Sequence, residues 1–479
     1  MAVSAAYYVA WLLPIAVGSG IWLALQGRAN ARGDLAAAIG GGWLIGIVVA
    51  AECARFAATA HTSQAFAHAW PWFAAIGVVA WIVAIVRLRA VSRESMPRDG
   101  SQGWRRWLWW LLLAWIVVRF VSIGDEASLR PVFPWDAWSA WSIKPKTWFY
   151  VGRAEPYVAM LDWLTHPGEA LRTAAAWNYP ELLAWIQLWF AGAAAQWNEP
   201  LVDLAWCGAL AAFALAAYGY WRAIAIESWV AIGLVYALVS LPLIDAHVAL
   251  AGYADLWVAL TLGFATLAWS RWRIRGERGQ LALAILAALT LPAIKFEGMV
   301  WLITFAAVVA LDLLPRRWRW RVVAAIVALL ALGAVVADAT GTIHLGWNRI
   351  DIPSLGTFAL AWHGVGGAML ASLFTLPNWH LLWYVLPIVL ALRHRRFRDD
   401  PAARGIGLLL LIDFAFLFAL FFFTTASAWA QDFTSANRLI LQLVPTTFVL
   451  IAVLLRPRAG ATGSSPRTAR ATAAPRVPA

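Results

Sequence analysis

Apolar blocks long enough to cross a hydrocarbon core recur along almost the whole chain, and they leave it few folds to choose from. A bilayer core is about 30 Å thick and takes roughly 20 helical residues to cross. With 62% of its 479 residues hydrophobic and a mean hydropathy of +0.69, the chain carries more apolar surface than a soluble core absorbs. Backbone in lipid must satisfy its own hydrogen bonds, so the expected fold is all-α, a polytopic transmembrane helical bundle of about 12–14 spans.

Candidate spans fall at 5–26, 35–51, 70–87, 105–122, 180–195, 201–221, 228–244, 250–269, 281–294, 296–313, 322–338, 379–392, 406–424 and 438–455. The formal charge of +12 is gathered in short clusters between these blocks, which reads as a topology signal rather than a nucleic-acid surface. Arg28 and Arg32, the stretch from Arg87 to Arg106, "RWRIRGERG" at 271–279, "RRWRWR" at 316–321 and "RHRRFR" at 393–398 are expected on the cytoplasmic side. The Pro-, Ser-, Thr- and Arg-rich tail over 456–479 reads as a disordered cytoplasmic segment. Most of the 34 tryptophans suit interfacial anchoring. Cys53 and Cys207 lack the spacing of a disulfide framework or a metal site and read as packing residues. The N-terminus has its arginines after the first apolar block, which fits a retained span better than a cleaved signal peptide.

The other side of the membrane then receives residues 123–179, the turns near 245–253 and 292–298, a second loop at 339–378, and 425–437. A full crossing at 180–195 would break that alternation, so this segment is expected to be short or re-entrant. The loop 123–179 contains "FPWDAWSAWSIKPKTWFY" at 133–150, one acid among four tryptophans. Trp135, Trp138 and Trp141, at i, i+3 and i+6, predict an interfacial helix with Asp136 off the aromatic stripe. Asp136 reads equally as the N-cap of that helix.

Further ionisable residues fall on the same side. Asp255 opens a span, Lys295 and Glu297 sit at a break between two apolar helices, and Asp432 and Arg438 flank the start of the last span. Taken singly these are a cap, an ion pair across a turn and a snorkelling anchor. Gathered on one side at membrane depth they mark a substrate path. A carboxylate there suits deprotonation of a hydroxyl, and Lys and Arg suit a phosphate leaving group. Among nucleotide and metal motifs the sequence has no Walker A loop, no Gly-rich fingerprint and no HExxH.

At these residues the chain resembles the GT-C glycosyltransferases that use polyprenyl-phosphate sugars, a superfamily that includes protein mannosyltransferases and aminoarabinose transferases. The resemblance is carried by "WDAW" at 135–138 followed by Lys144 and Lys146, "WNYPELLAW" at 177–185, "GYADL" at 252–256, "IKFEG" at 294–298 and "NRLILQLVP" at 437–445. It implies a catalytic module over 105–455, with 1–104 as an N-terminal addition of transmembrane helices. It implies a large periplasmic loop with Asp136 as general base or metal holder, Asp255 as a second acid, and Glu297 as an orienting group. Lys144, Lys146, Tyr179, Lys295 and Arg438 would bind the donor and its phosphate. Many relatives have an Asp-Glu pair in the loop, where this chain has Ala137 after Asp136; Asp125 and Glu126 form a rival pair.

The implied activity is transfer of a sugar to a glycan, lipid or protein acceptor at the outer face of a bacterial inner membrane. No nucleic acid takes part, and a divalent metal ion stays open. His344, Trp347, Asn348 and Asp351 are candidates for acceptor recognition, or simply parts of a surface loop. The rival class is a transporter or flippase of a lipid-linked or anionic solute, which broken helices and internal repeats would favour. A structural membrane subunit would leave the outward acids unexplained.

Overall fold

The computed structural model describes residues 4–27, 31–89, 103–341, 344–346, 349–352 and 356–457. Arg28, residues 90–102 of the basic stretch, Trp347, Asn348 and the tail from 458 onward lie outside the described residues. The first half of the chain forms α1 (Ala5–Gln26), α2 (Asp34–Ala57), α3 (Ala65–Arg89), α4 (Trp104–Leu129), α5 (Ile143–Val151), α6 (Met160–Thr165), α7 (Leu182–Ala194), α8 (Glu199–Ala223), α9 (Ser228–Val239) and α10 (Pro242–Ala249). The second half forms α11 (Ala254–Arg275), α12 (Arg278–Ile294), α13 (Glu297–Leu313), α14 (Arg316–Ala339), α15 (Gly366–Leu370), α16 (Leu382–Leu392), α17 (His394–Asp399), α18 (Pro401–Phe423), α19 (Ser427–Gln431) and α20 (Ser435–Leu455).

Among the described residues, seven helical segments are long and apolar enough to cross a membrane: α1, α2, Thr62–Leu88, α4, α8, α18 and α20. The chain is therefore a multi-pass helical membrane protein. An eighth span is formed if α9 and α10, bent by 62° where they meet, count as one. Fewer helices reach that length than the 12–14 expected. The reasons are local: α12 and α13 have 17 residues each, α16 has 11, and α11 and α14 carry arginines within their ends.

The small residues of α1 and α2 let their backbones touch. A Cβ on Gly18 would overlap the Gly42 carbonyl, and one on Gly46 would overlap that of Pro14. Close backbone approach of this kind replaces the hydrophobic drive that lipid does not supply between helices. Helix α8 starts where Asn198 accepts a hydrogen bond from Leu201 N at 3.2 Å and Pro200 occupies the first turn. At the centre lies α20, buried along almost its whole length from Leu439 to Leu454.

Three expectations change in detail. Helix α4 runs on to Leu129, so Asp125 and Glu126 stand on its last turns and the loop begins at Arg130 rather than 123. The expected stripe of Trp135, Trp138 and Trp141 is broken by a π-helical turn over Ala137–Trp141, closed by Ser142 N to the Ala137 carbonyl at 2.8 Å. This wider turn rotates Trp141 into the core against Tyr179 and leaves Trp135 and Trp138 exposed. Between α14 and α15 three short antiparallel strands, β1 (His344–Gly346), β2 (Arg349–Ile352) and β3 (Gly356–Ala359), interrupt the helical pattern in the order β1-β2-β3. His344 pairs with Asp351 across the first two strands, and Asp351 bonds Arg349 at 3.2 Å.

Segment 180–195 behaves as a short element. Helix α7 has 13 residues, about 20 Å of rise, and nearly all its side chains are buried. Its start is tied to Lys144, which lies 3.9 Å from Glu181, and its end to Ser4, whose hydroxyl donates to the Ala193 carbonyl at 2.7 Å. Ser4 opens α1 and Lys144 belongs to the loop after α4, so α7 enters and leaves at the same end of the bundle.

At the opposite end of α11, Arg271 is fully buried and pairs with Asp34 of α2 at 2.6 Å and Glu277 at 2.5 Å. Gln26 of α1 donates to Glu277 at 2.6 Å, and Gln280 of α12 donates to Gln26 at 2.8 Å. The guanidinium also lies 5.5 Å from the Trp22 ring and 5.8 Å from the Tyr220 ring. This network ties α1, α2, α8, α11 and α12 together, so the first helices are packed into the body of the bundle. Arg271→Ala strands two buried carboxylates and is expected to cost about 3–5 kcal/mol. The check is a lowered melting temperature of the purified protein in detergent; an unchanged value contradicts the network's role.

Candidate active site

Asp255 is the centre of a buried polar cluster. It occupies the first turn of α11, where a carboxylate suits the helix dipole, yet it does not cap the helix. Its side chain is fully buried and every acceptor position is used. Oδ1 accepts from Lys295 Nζ at 2.9 Å and Gln442 Nε2 at 2.7 Å; Oδ2 accepts from Arg438 Nε at 2.9 Å and lies 2.8 Å from Nη2.

Each partner is positioned by a different element. Lys295 ends α12 in an extended conformation just after Pro292, at the break before α13, and this turns its side chain back toward α11. Arg438 lies in the first turn of α20, and Gln442 follows one turn later on the same face. Helices α11 and α20 run parallel, with Thr266 and Thr446 in contact farther down, so both N-terminal ends meet here. Trp301 of α13 donates to Gln442 Oε1 at 2.5 Å and fixes which end of the amide faces Asp255.

Asp136 joins through Arg438, whose Nη1 reaches its Oδ2 at 2.5 Å. Its side chain makes no cap bond to the following turn, so the capping alternative does not describe it. Glu297 bonds Lys295 at 2.9 Å, which is the ion pair expected across the turn, now shared with Asp255. The Tyr253 ring supports the guanidinium of Arg438 at 4.3 Å. Next to it the His247 ring lies 5.4 Å away, with Nδ1 against the Leu243 carbonyl at 2.8 Å. Arg438 is therefore a bridge between two acids rather than a snorkelling anchor.

The loop is held against this cluster by close packing. Ala137 is fully buried, and a Cβ added to Gly252 would stand 2.5 Å from the Ala137 Cβ. Gly252 also has φ +110°, a conformation that side chains other than glycine's rarely adopt. A glutamate at 137 would have no room there. Glu199 pins the loop again, accepting from Val132 N at 3.0 Å and Lys146 Nζ at 2.7 Å.

Of the residues expected at the site, Asp136, Asp255, Lys295, Glu297 and Arg438 come together. Tyr179 stands at the edge, its ring 4.9 Å from Trp141 and 5.3 Å from Phe296. Burial holds its phenol above the ordinary value, so it stays a neutral donor at pH 7. Lys144 and Lys146 point elsewhere: Lys144 is buried and donates to the Tyr179 carbonyl at 2.8 Å, and Lys146 pairs with Glu199. Asp125 and Glu126 stay apart from the cluster, Glu126 pairing with Arg130 at 3.0 Å. Asp432 accepts from Thr434 N and Oγ1 and caps a turn. Gln442, Tyr253 and Trp301 were not singled out from the sequence. Gln442 was legible as the residue one helical turn beyond Arg438.

Among the described residues no three His, Cys, Asp or Glu side chains gather as a metal site. The acids here are each opposed by a cation rather than by one another. Three carboxylates against two cations leave the cluster with one net negative charge. An anionic ligand can bind only where a carboxylate gives way. Asp136 and Glu297, with side chains 40% and 30% exposed, can do so; Asp255, at 0%, cannot. Comparison with protein-family models, curated proteins and solved structures finds no match to this chain.

Gly252→Ala is expected to loosen residues 130–142, seen as faster amide exchange there, with about 1–3 kcal/mol of local strain. Unchanged exchange contradicts the packing described. In the same loop, Glu155 is covered by Arg153 at 2.8 Å and Arg172 at 2.7 Å rather than by deep packing. Bonds from Arg172 first and Arg153 second hold its carboxyl below the ordinary 4.5. Its contribution is therefore present above that value and lost as pH falls through the lower folded one. Protection over 153–172, taken relative to the intrinsic exchange rate at each pH, should fall below about pH 4.5 and show no such fall in Glu155→Gln.

Proposed function

We propose that the protein is an integral membrane glycosyltransferase that moves a sugar from a polyprenyl-phosphate donor to an acceptor hydroxyl, with inversion at the anomeric carbon. The observation that carries this reading is the shared guanidinium of Arg438, held by buried Asp255 and bonded to half-buried Asp136. In the resting site Asp136 occupies the place on Arg438 that a phosphate would take. Donor binding moves the phosphate onto Arg438 and Lys295 and frees the Asp136 carboxylate beside the reacting carbon.

The acceptor O–H then gives its proton to Asp136 while its oxygen attacks the anomeric carbon. The bond from that carbon to the phosphate oxygen breaks, and its electron pair leaves with polyprenyl phosphate, stabilised by Arg438 and Lys295. Asp255 never meets substrate in this scheme; it fixes the two cations. On this reading the site faces the outer side of a bacterial plasma membrane, with the loop from Arg130 to Tyr179 as its periplasmic cover; the arginine clusters at the far end of the bundle support that orientation. The acceptor is a glycan, lipid or protein hydroxyl.

A second reading, a transporter of a lipid-linked or anionic solute, is favoured by the broken helices around the cluster: the bend between α9 and α10, short α7, and the α12–α13 break at Lys295. One assay separates them. Purified protein is mixed with polyprenyl-phosphate sugars, and free polyprenyl phosphate is followed by mass spectrometry. Wild type should release it. Asp136→Asn should lose about 10²–10⁴-fold in turnover and bind polyprenyl phosphate at least as tightly, because a competing negative charge is gone. Wild-type turnover in Asp136→Asn refutes the assignment. Movement of donor across liposomes without release selects the transporter.

A further inference from the structure

The far end of the bundle carries a second charged recess, about 27 Å from Asp255 by the rise of α11. A cavity of about 260 Å³ opens there between α11, α13, α14 and α18. Arg273, Arg319 and Arg404 line it, one from each of α11, α14 and α18, together with Asp312 of α13. Val308, Leu311 and Leu408 form its apolar wall.

The charges in this recess do not cancel. Arg273 Nε holds Asp312 at 2.5 Å, and Arg319 Nε donates to the Leu314 carbonyl at 3.2 Å. Arg319 and Arg404 act on Asp312 through space. Three guanidiniums against one carboxylate leave two positive charges around the cavity. Guanidinium donors in this number suit the oxygens of a phosphate ester, which they bind in pairs.

The surroundings indicate what carries the phosphate. On α18, Leu408 and Leu411, one helical turn apart, lead from the cavity onto the outer surface of the bundle, where Leu411 is 66% exposed. Trp318 and Trp320, on either side of Arg319 in the chain, stand exposed, as rings do at headgroup level. A soluble phosphate needs no such apolar ledge, whereas acyl chains do. We propose that this recess binds the headgroup phosphate of an anionic phospholipid, with the acyl chains lying along Leu408 and Leu411. The site is independent of the sugar-transfer reading, and it gives Arg319 and Arg404 a partner across the membrane from Asp255.

The test is native mass spectrometry of the full chain in detergent, titrated separately with phosphatidylglycerol, phosphatidylcholine and inorganic phosphate. Wild type should retain phosphatidylglycerol in preference to phosphatidylcholine. Arg319→Gln combined with Arg404→Gln should weaken that retention by about 25-fold, from about fivefold for each cation removed. Arg404→Gln alone, which removes no salt bridge among the described residues, should give about half of the effect on a logarithmic scale and leave the lipid-free melting temperature unchanged. Equal retention of the two lipids, wild-type retention by the double variant, or inorganic phosphate binding as tightly as phosphatidylglycerol would each overturn the proposal.

Discussion

Asp255 is a carboxylate with no access to water, and the architecture around it follows from that constraint. A buried charge is tolerable only when fully bonded, and four donors from three side chains meet this one. Those donors come from the end of α12 and the start of α20, so the carboxylate fixes the height at which both helices stand against α11. The Trp301 indole behind Gln442 extends the same network into α13. At the other end of α11 the converse arrangement holds, a buried guanidinium between two carboxylates that ties in α1 and α2. One helix is thereby pinned at both ends by opposite charges, and the bundle is registered along it.

The consequence is that the two cations are held in fixed places by the buried acid. Lys295 and Arg438 spend donors on Asp255, while their remaining bonds go to Asp136 and Glu297, which face the open side. The exchangeable acids are those on the loop and at the helix break, and the fixed acid is the one in the core. The tight fit of Ala137 on Gly252 makes the loop part of this arrangement, because it brings Asp136 within reach of Arg438.

Some of this was legible along the chain. Asp136, Asp255, Lys295, Glu297 and Arg438 were distinguishable because apolar blocks and arginine clusters assign every polar residue to a side, and these share one. Lys144 and Lys146 satisfied the same test and yet serve the loop, holding the Tyr179 carbonyl and Glu199. Sidedness gives a residue its end of the bundle but not the direction of its side chain. The tryptophan stripe failed for a similar reason. A spacing of three residues assumes an α-helix, and the π-turn at Ala137–Trp141 changes which ring faces the core. The small sheet of β1, β2 and β3 and the continuation of α4 to Leu129 also lay beyond what hydropathy distinguishes, since both fall in segments that leave the apolar blocks.

The sequence by itself determined a helical membrane protein, the ends at which its charges lie, and a break between α12 and α13, because lipid penalises unbonded backbone and stray charge residue by residue. Only the tertiary structure decided which acid is buried and which faces the open side, that Arg438 bridges them, and that α7 turns back within one end. Those are properties of contacts between residues as much as 302 positions apart, such as Arg438 and Asp136. No local periodicity encodes them; they arise when the helices pack and each buried charge must find its partner.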